Sequence, residues 1–138
     1  MTVYLDTSAV LRVVLGQPER LESWGRWEKA YASEILGVEA RRAIDRLRLE
    51  GALDDEGVAR AHEDLAGVEE ALGSILLTRP VLRRAALPMP TVVKTLEAIH
   101  LASALLFDER RGARLVFATH DAQQGLAARA LGFRCIGV

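Results

Sequence analysis

The stretch VYLDTSAV, residues 3–10, decides how the rest of the chain is interpreted. Three strand-forming residues lead directly into Asp6, and the hydroxyl residues Thr7 and Ser8 follow it. A short apolar run is typical of a buried strand, and an acid followed by hydroxyl residues is typical of a helix start. The stretch therefore predicts a strand that passes into a helix at Asp6. Taken alone, Asp6 is best explained as the N-cap of that helix.

Helical and strand-like patterns alternate along the rest of the chain. Apolar spacing predicts helices at residues 8–15, 19–32, 34–50, 55–72, 80–86, 96–111 and 122–131. The second of these has Leu21, Trp24 and Trp27 on one face. The expected helix caps are Ser33, Asp54 and Thr95. Strands are predicted at residues 3–6, 74–78, 114–119 and 134–138. Because these runs are short and apolar throughout, they predict a parallel sheet with helices on both faces.

Length and composition set the class of protein. The 138 residues, half of them hydrophobic, fit a single domain over residues 1–138 without repeats or linkers. One cysteine, Cys135, excludes an internal disulfide and a cysteine-based zinc site. There is no apolar run of membrane-spanning length and no visible signal peptide. We therefore expect a cytoplasmic protein without a membrane partner.

The charge balance restricts how the chain can bind nucleic acid. The formal net charge is −1, from 18 basic and 19 acidic side chains, whereas non-specific nucleic-acid binders are usually more basic. If nucleic acid is the partner, the positive charge must be local or supplied by a metal. Nearly all the basic residues are arginine, which fits either a codon bias or the recognition of phosphate and carboxylate groups.

Four acids stand where the predicted fold places functional groups. Asp6 and Asp121 each follow a strand, and ligands of parallel α/β sheets bind beyond the carboxyl ends of the strands. Glu39 and Glu97 lie in early turns of two helices. Each has a structural alternative: an N-cap for the aspartates, a salt bridge with Arg42 for Glu39, and a favourable helix-terminal charge for Glu97.

Together the four acids indicate a metal site. Carboxylates that share a cleft raise one another's pKa, so they need a counter-charge to stay ionised. Oxygen ligands with open water positions select Mg²⁺ or Mn²⁺ over zinc. Such an ion binds a phosphate directly, which is consistent with a net charge near zero.

Four segments in order resemble the PIN-domain nucleases, most closely the VapC type of toxin–antitoxin ribonuclease. They are DTSAV (6–10), SEILGVEARRAI (33–44), KTLEAIHLASALL (94–106) and FATHD (117–121). The resemblance spans nearly the whole chain. It implies a three-layer α/β/α sandwich with a short, mainly parallel sheet. It also implies Mg²⁺-dependent cleavage of RNA by a homodimer that an antitoxin holds.

The resemblance also implies roles for individual residues. The catalytic and metal-binding acids would be Asp6, Glu39, Glu97 and Asp121. The residues that support them would be Thr7, Ser8, Thr119 and His100, although a histidine on such a face is more often a hydrogen-bonded core residue. From position alone, the candidate RNA contacts are Arg12, Arg41 and Arg42, for which a solvated surface is an equal alternative.

One position departs from the family pattern. The third acid is usually aspartate, and Glu97 carries one more methylene, which moves the carboxylate by roughly 1.5 Å. Asp108 cannot replace it, because eleven residues of helix separate them by about 16 Å.

Other functions stay open. The chain could be a PIN nuclease of RNA processing outside a toxin pair, or an inactive acidic-pocket binding module. A receiver-like signalling module fits less well, because Asp6 stands alone early in the chain and no lysine follows Lys94. If the protein is a nuclease, we expect water rather than the ribose 2′-OH to attack. The products would then carry a 5′-phosphate and a 3′-OH.

Overall fold

The computed structural model describes residues 1–138 and contains one five-stranded sheet. Along the chain the elements are β1 (Thr2–Leu5), α1 (Thr7–Val14), β2 (Lys29–Ser33), α2 (Ile35–Leu49), α3 (Asp55–Ala71), β3 (Gly73–Ile75), α4 (Arg79–Ala85), α5 (Thr95–Arg111), β4 (Val116–Ala118), α6 (Ala122–Ala130) and β5 (Arg134–Ile136). All strand pairs are parallel, in the order β3-β2-β1-β4-β5. The carboxyl ends of all strands therefore lie at one edge.

The sheet separates two apolar cores. Successive residues of a strand point to opposite faces, so Val3 and Leu5 pack with α1, α2 and α3, whereas Tyr4 packs with α5 and α6. Tyr4 stacks on Phe117 of β4, with ring centroids 5.2 Å apart. Helices thus cover both faces, and the predicted three-layer α/β/α sandwich is confirmed. None of the helices is both long enough and apolar enough to cross a membrane.

The helix predicted at residues 19–32 is wrong. The segment after α1 is irregular, and its last part forms strand β2 instead. Gly25 has a φ of 78°, a conformation that a right-handed helix does not contain. The spacing of Trp24 and Trp27 has another cause, because their rings contact each other edge to face, 5.1 Å apart. The three-residue spacing therefore reflects packing on the core within a loop.

Several predicted boundaries shift by a few residues. Ser33 ends β2 rather than capping α2, although its Oγ still accepts a hydrogen bond from the amide of Ile35 at 3.3 Å. Thr95 is the first residue of α5, and Lys94 is the cap. The strands β3, β4 and β5 span three residues each, shorter than predicted, because each pairs only where a neighbouring strand runs beside it.

Candidate functional site

A cavity of about 670 Å³ opens at the carboxyl edge of the sheet. Its walls come from α1, α2, the start of α5 and the start of α6. The four acids predicted from the sequence all line it: Asp6, Glu39, Glu97 and Asp121. The fold thus brings together side chains that are up to 115 positions apart, the separation between Asp6 and Asp121.

Asp6 is the most firmly held of the four acids. The residue is 4% exposed, and its Oδ2 accepts three hydrogen bonds. The donors are the amide of Ser8 at 3.3 Å, Ser8 Oγ at 2.6 Å and Thr119 Oγ1 at 2.9 Å. Asp6 is therefore an N-cap, as its position alone predicts, and Ser8 and Thr119 also fix its direction.

The second strand end repeats this arrangement. Asp121 caps α6, where its Oδ1 accepts a hydrogen bond from the amide of Gln124 at 3.0 Å. Its own amide donates to Thr119 Oγ1, also at 3.0 Å. Thr119 therefore contacts both aspartates, which links the ends of β1 and β4. The amide of His120 donates to Ser8 Oγ at 2.9 Å and adds a second link.

Glu39 and His100 form a close, mostly buried pair. His100 Nε2 lies 2.5 Å from Glu39 Oε1 and 3.6 Å from Asp6 Oδ1. Thr7 Oγ1 donates to the same Glu39 oxygen at 2.9 Å. On the far side of the ring, His100 Nδ1 lies 2.7 Å from Tyr4 Oη. His100 therefore connects β1, α2 and α5 at the floor of the cavity.

The pair shifts both pKa values toward the charged forms. Burial of His100 lowers its pKa, but the hydrogen bond with Glu39 and the charges of Asp6, Glu39 and Glu97 raise it above the usual value. Burial of Glu39 raises its pKa, and the hydrogen bonds from His100 and Thr7 together with the charge of His100 lower it below the usual value. A protonated His100 thus supplies positive charge beside Asp6 and Glu39.

Tyr4 stays a neutral hydroxyl beneath this pair. Burial is the main cause that raises its pKa well above the usual value, and the negative charge of Asp6 raises it further. A neutral Tyr4 keeps its hydroxyl available as the hydrogen-bond partner of His100.

Glu97 is held by its own helix. Its Oε2 accepts a hydrogen bond from the amide of Lys94 at 2.8 Å, as the acidic member of a capping box does. The backbone carbonyl of Glu97 accepts a hydrogen bond from Gln124 Nε2 at 3.4 Å. The extra methylene of glutamate lets the carboxylate reach back to the helix terminus while the residue still lines the cavity.

The four carboxylates share one pattern. Each uses one oxygen for hydrogen bonds with the protein and leaves the other without a hydrogen bond from any protein group. The unbonded oxygens are Asp6 Oδ1, Glu39 Oε2, Glu97 Oε1 and Asp121 Oδ2. Free carboxylate oxygens are the ligands that Mg²⁺ and Mn²⁺ prefer, so the donor chemistry fits such an ion.

The free oxygens are not drawn together around one point. No group of three or more acidic, histidine or cysteine side chains stands in an arrangement that could hold a metal ion. Glu97 turns toward its helix terminus, and His100 occupies the space between Asp6 and Glu39. Side chains would have to turn before several of them could share an ion.

The candidate RNA contacts separate into three cases. Arg42 lines the cavity, where it also contacts Asp45 at 3.4 Å. Arg41 is held outside it by two hydrogen bonds to Glu69, at 2.7 and 3.1 Å. Arg12 donates to the backbone carbonyl of Glu19 and does not line the cavity.

Four further polar residues line the cavity and were missed as site residues from the sequence: Arg46, Lys94, Thr95 and Gln124. Arg46 and Lys94 line it, and neither has an ion-pair partner. Gln124 is 1% exposed and lies one turn after Asp121. The available signal was helical spacing, since Arg46 follows Glu39 by two turns and therefore lies on the same side of α2.

Comparisons with known proteins agree with this architecture. The chain is 30% identical to Ribonuclease VapC47 of Mycobacterium tuberculosis, over 95% of this chain and 93% of that protein. Its fold is similar to the crystal structure of PAE2754 from Pyrobaculum aerophilum, with a TM-score of 0.61 at 21% identity over 99% of this chain and 82% of that chain. It is similar to FitAcB from Neisseria gonorrhoeae, with a TM-score of 0.61 at 20% identity over 98% and 96% of the two chains. No protein-family model matches the chain.

Proposed function

The chain belongs to the VapC family of PIN-domain proteins, and we propose that it is a metal-dependent endoribonuclease that serves as the toxin of a toxin–antitoxin pair. The observation that carries the proposal is the single cavity in which Asp6, Glu39, Glu97 and Asp121 meet. The relative in Mycobacterium tuberculosis carries the name ribonuclease, which supports RNA as the substrate. The proposed place of action is the cytoplasm.

Asp6 and Asp121 are the residues that would bind a Mg²⁺ or Mn²⁺ ion directly, with Glu39 and Glu97 completing the site. Such an ion supplies positive charge beside the scissile phosphate and makes hydroxide available near neutral pH. Ser8 and Thr119 keep the Asp6 carboxylate in one direction, and Thr7 does the same for Glu39. Water is the proposed nucleophile, so the products carry a 5′-phosphate and a 3′-OH.

The experiment is cleavage of a structured RNA by the purified protein with Mg²⁺ or Mn²⁺, against the same reaction in EDTA. Asp121→Asn should lose cleavage, because it removes a charge from the acid cavity. The matched control is Asp64→Asn, an exposed aspartate of α3 outside the cavity, which should cleave as the wild type does. Equal cleavage by Asp121→Asn, or a 2′,3′-cyclic phosphate product, contradicts the proposed site or mechanism.

The proposed antitoxin would act on the same cavity. Part of the lining is apolar and comes from three helices, and the acids line the same cavity; the apolar residues are Leu11, Ile35, Val38, Ala43 and Leu96. A partner segment with apolar residues and one arginine fits both, since a guanidinium can bind a carboxylate through two hydrogen bonds. Replacing that arginine in the partner should relieve inhibition of cleavage. We further propose that the protein is a homodimer, which sedimentation equilibrium tests directly.

One observation favours a second candidate, an inactive acidic-pocket binding protein. The Glu97 carboxylate is hydrogen-bonded in the capping box, and no group of three or more acidic, histidine or cysteine side chains is arranged to hold a metal ion. In that case Mn²⁺ would neither raise the melting temperature nor support cleavage of any RNA. A melting temperature that rises with Mn²⁺, and falls back in EDTA, separates the nuclease from this alternative.

A further inference from the structure

RNA that enters this cavity meets an unfavourable field on both sides of the cut. Four carboxylates line the cavity, and the two positive charges of one divalent ion do not offset all four of them together with the phosphates of a bound strand. The neighbouring phosphates of the strand remain negative and close to Asp6, Glu39, Glu97 or Asp121. Binding of a strand across the cavity therefore needs cations at its rim.

Most arginines near the cavity are already neutralised by acids. Arg41 is paired with Glu69, and Arg42 and Arg48 share Asp45. The hydrogen bond from Arg48 is the main cause that holds the pKa of Asp45 below its usual value. Among the side chains that line the cavity, Arg46 and Lys94 are therefore the cations without an acidic partner.

These two cations lie on different walls of the cavity. Arg46 follows Glu39 by seven residues on α2, which places it about 10 Å further along the helix axis. Lys94 is the cap residue of α5 and precedes Glu97 by three positions. The helices α2 and α5 meet at the contact between Glu39 and His100, so each of the two helices brings one acid and one unpaired cation to the cavity.

We propose that Arg46 and Lys94 bind backbone phosphates next to the scissile phosphate, each from its own wall of the cavity. The inference rests on the proposed function, because it assumes that RNA occupies this cavity. Contacts to phosphate hold a strand in register without reading its sequence. Arg46 and Lys94 are thus positioning residues that contact the substrate, and they add affinity equally for RNAs of different sequence.

The test is the binding of a labelled single-stranded RNA in EDTA, measured at several salt concentrations for the full chain. Arg46→Gln and Lys94→Met should each bind roughly three- to tenfold more weakly at low salt, as the loss of one exposed phosphate contact implies. Each should also reduce the slope of log affinity against log salt by about 0.7. The double variant should lose about twice that slope.

Two matched controls have the same charge change elsewhere. Arg129→Gln removes an exposed, unpaired arginine near the end of α6, and Lys29→Met removes an exposed lysine at the amino edge of the sheet. Both should bind RNA as the wild type does. Melting temperatures of all four variants should match the wild type, because the residues are exposed.

The outcomes separate the inference from the proposed function. If the Arg46 and Lys94 variants bind RNA with the same affinity and the same salt slope as the control variants, the inference is overturned, even when the wild type cleaves RNA. Failure of the wild type to bind the RNA also overturns it. If the variants bind RNA as the wild type does but bind a protein partner more weakly, the two cations contact that partner instead, and the inference is again overturned. Cleavage that is absent while both variants bind more weakly refutes the nuclease and leaves the phosphate contacts supported.

Discussion

The end of β1 and the start of α5 both place an acid at a helix N-terminus beside the same cavity, and they hold it differently. Asp6 is almost fully buried, and Thr119 reaches it from 113 positions away. Glu97 is half-buried, and its carboxylate bonds only to the amide of Lys94 in its own first turn. A carboxylate fixed by distant parts of the chain keeps its direction, whereas one fixed by a single local bond can turn.

The comparison assigns different roles to the two regions. The β1 end, with Ser8, Thr119 and Asp121, is a fixed frame on which a metal ion can be placed. At the α5 start, the Glu97 carboxylate is held only by its contact with the helix terminus, and in the proposed metal site Glu97 would leave that contact to reach the ion. His100 connects the regions, since its Nδ1 contacts Tyr4 on one side of the ring and its Nε2 contacts Thr7 and Glu39 on the other.

The largest expected effect separates the fixed acid from the adjustable one. Asp6→Asn should lower RNA cleavage by more than about a hundredfold, beyond the loss of about 10–100-fold that follows removal of a group that only supports a ligand. Glu97→Gln should fall within that smaller range, because glutamine can still accept the Lys94 amide. Initial cleavage rates at saturating Mg²⁺ measure both. Equal losses in the two variants would remove the distinction between the regions.

The buried link between the regions should matter for stability. His100→Ala leaves Tyr4 and Glu39 without their partner and should lower the free energy of unfolding by about 2–3 kcal/mol. Urea denaturation followed by circular dichroism gives the value. His62→Ala, at an exposed position of α3, is the matched control and should change it by less than about 0.5 kcal/mol. If His100→Ala loses no more unfolding free energy than His62→Ala does, the contacts of His100 contribute little to stability.

The pair of His100 and Glu39 should stabilise the fold only within a limited pH range when no metal is bound. The folded-state pKa of His100 lies above 6.5, so its contribution is complete below pH 6.5 and is lost as pH rises through the folded value. The folded-state pKa of Glu39 lies below 4.5, so its contribution is present above pH 4.5 and is lost as pH falls through the folded value.

The difference in unfolding free energy between wild type and His100→Ala should therefore be greatest between about pH 4.5 and 6.5. Denaturation in EDTA from pH 4 to 9 measures it, with His62→Ala again as the control. A difference that does not change over this range would mean that the two groups titrate alike in the folded and unfolded states.

The smallest expected effect tests the extra methylene directly. Glu97→Asp cannot reach the Lys94 amide as well and should lower stability by about 0.5–1 kcal/mol, through loss of the cap bond. The shorter carboxylate is also released toward the cavity, so Mn²⁺ should bind a few-fold more tightly in calorimetric titrations. Mn²⁺ affinity that is unchanged by both Glu97→Asp and Glu97→Gln would show that this residue takes no part in ion binding.

Residues 19–32 show where sequence patterns were insufficient. Leu21, Trp24 and Trp27 have helical spacing, yet the segment ends in the strand β2, where Ala30 and Ala32 are buried. Lysine and alanine are poor strand formers and Tyr31 is the one strand-forming residue here, so local preference predicts this strand only weakly. It forms because the backbones of β1 and β3 lie on either side of it and satisfy its hydrogen bonds.

The charges around the cavity show the same limit. The predicted RNA contacts follow acidic motifs closely in sequence: Arg12, Arg41 and Arg42. Arg41, however, forms an ion pair with Glu69, a residue of another helix. Arg46 and Lys94 carry no motif and remain free. Whether a cation is available depends on which acids lie within reach of it, and that is a property of helix packing rather than of spacing along the chain.

The sequence by itself determined the positions of the acids. A strand followed by aspartate and a helix is a local pattern, and parallel strands bring such ends to one edge, so Asp6 and Asp121 had to meet there. The turn of Glu97 toward the amide of Lys94 is also local, because it stays within the first turn of α5. Only the tertiary structure decided the direction of Asp6 and the pairing of Glu39 with His100, which depend on side chains from distant positions within about 3 Å. Contacts at that range are set by the packing of α2, α5 and the sheet together.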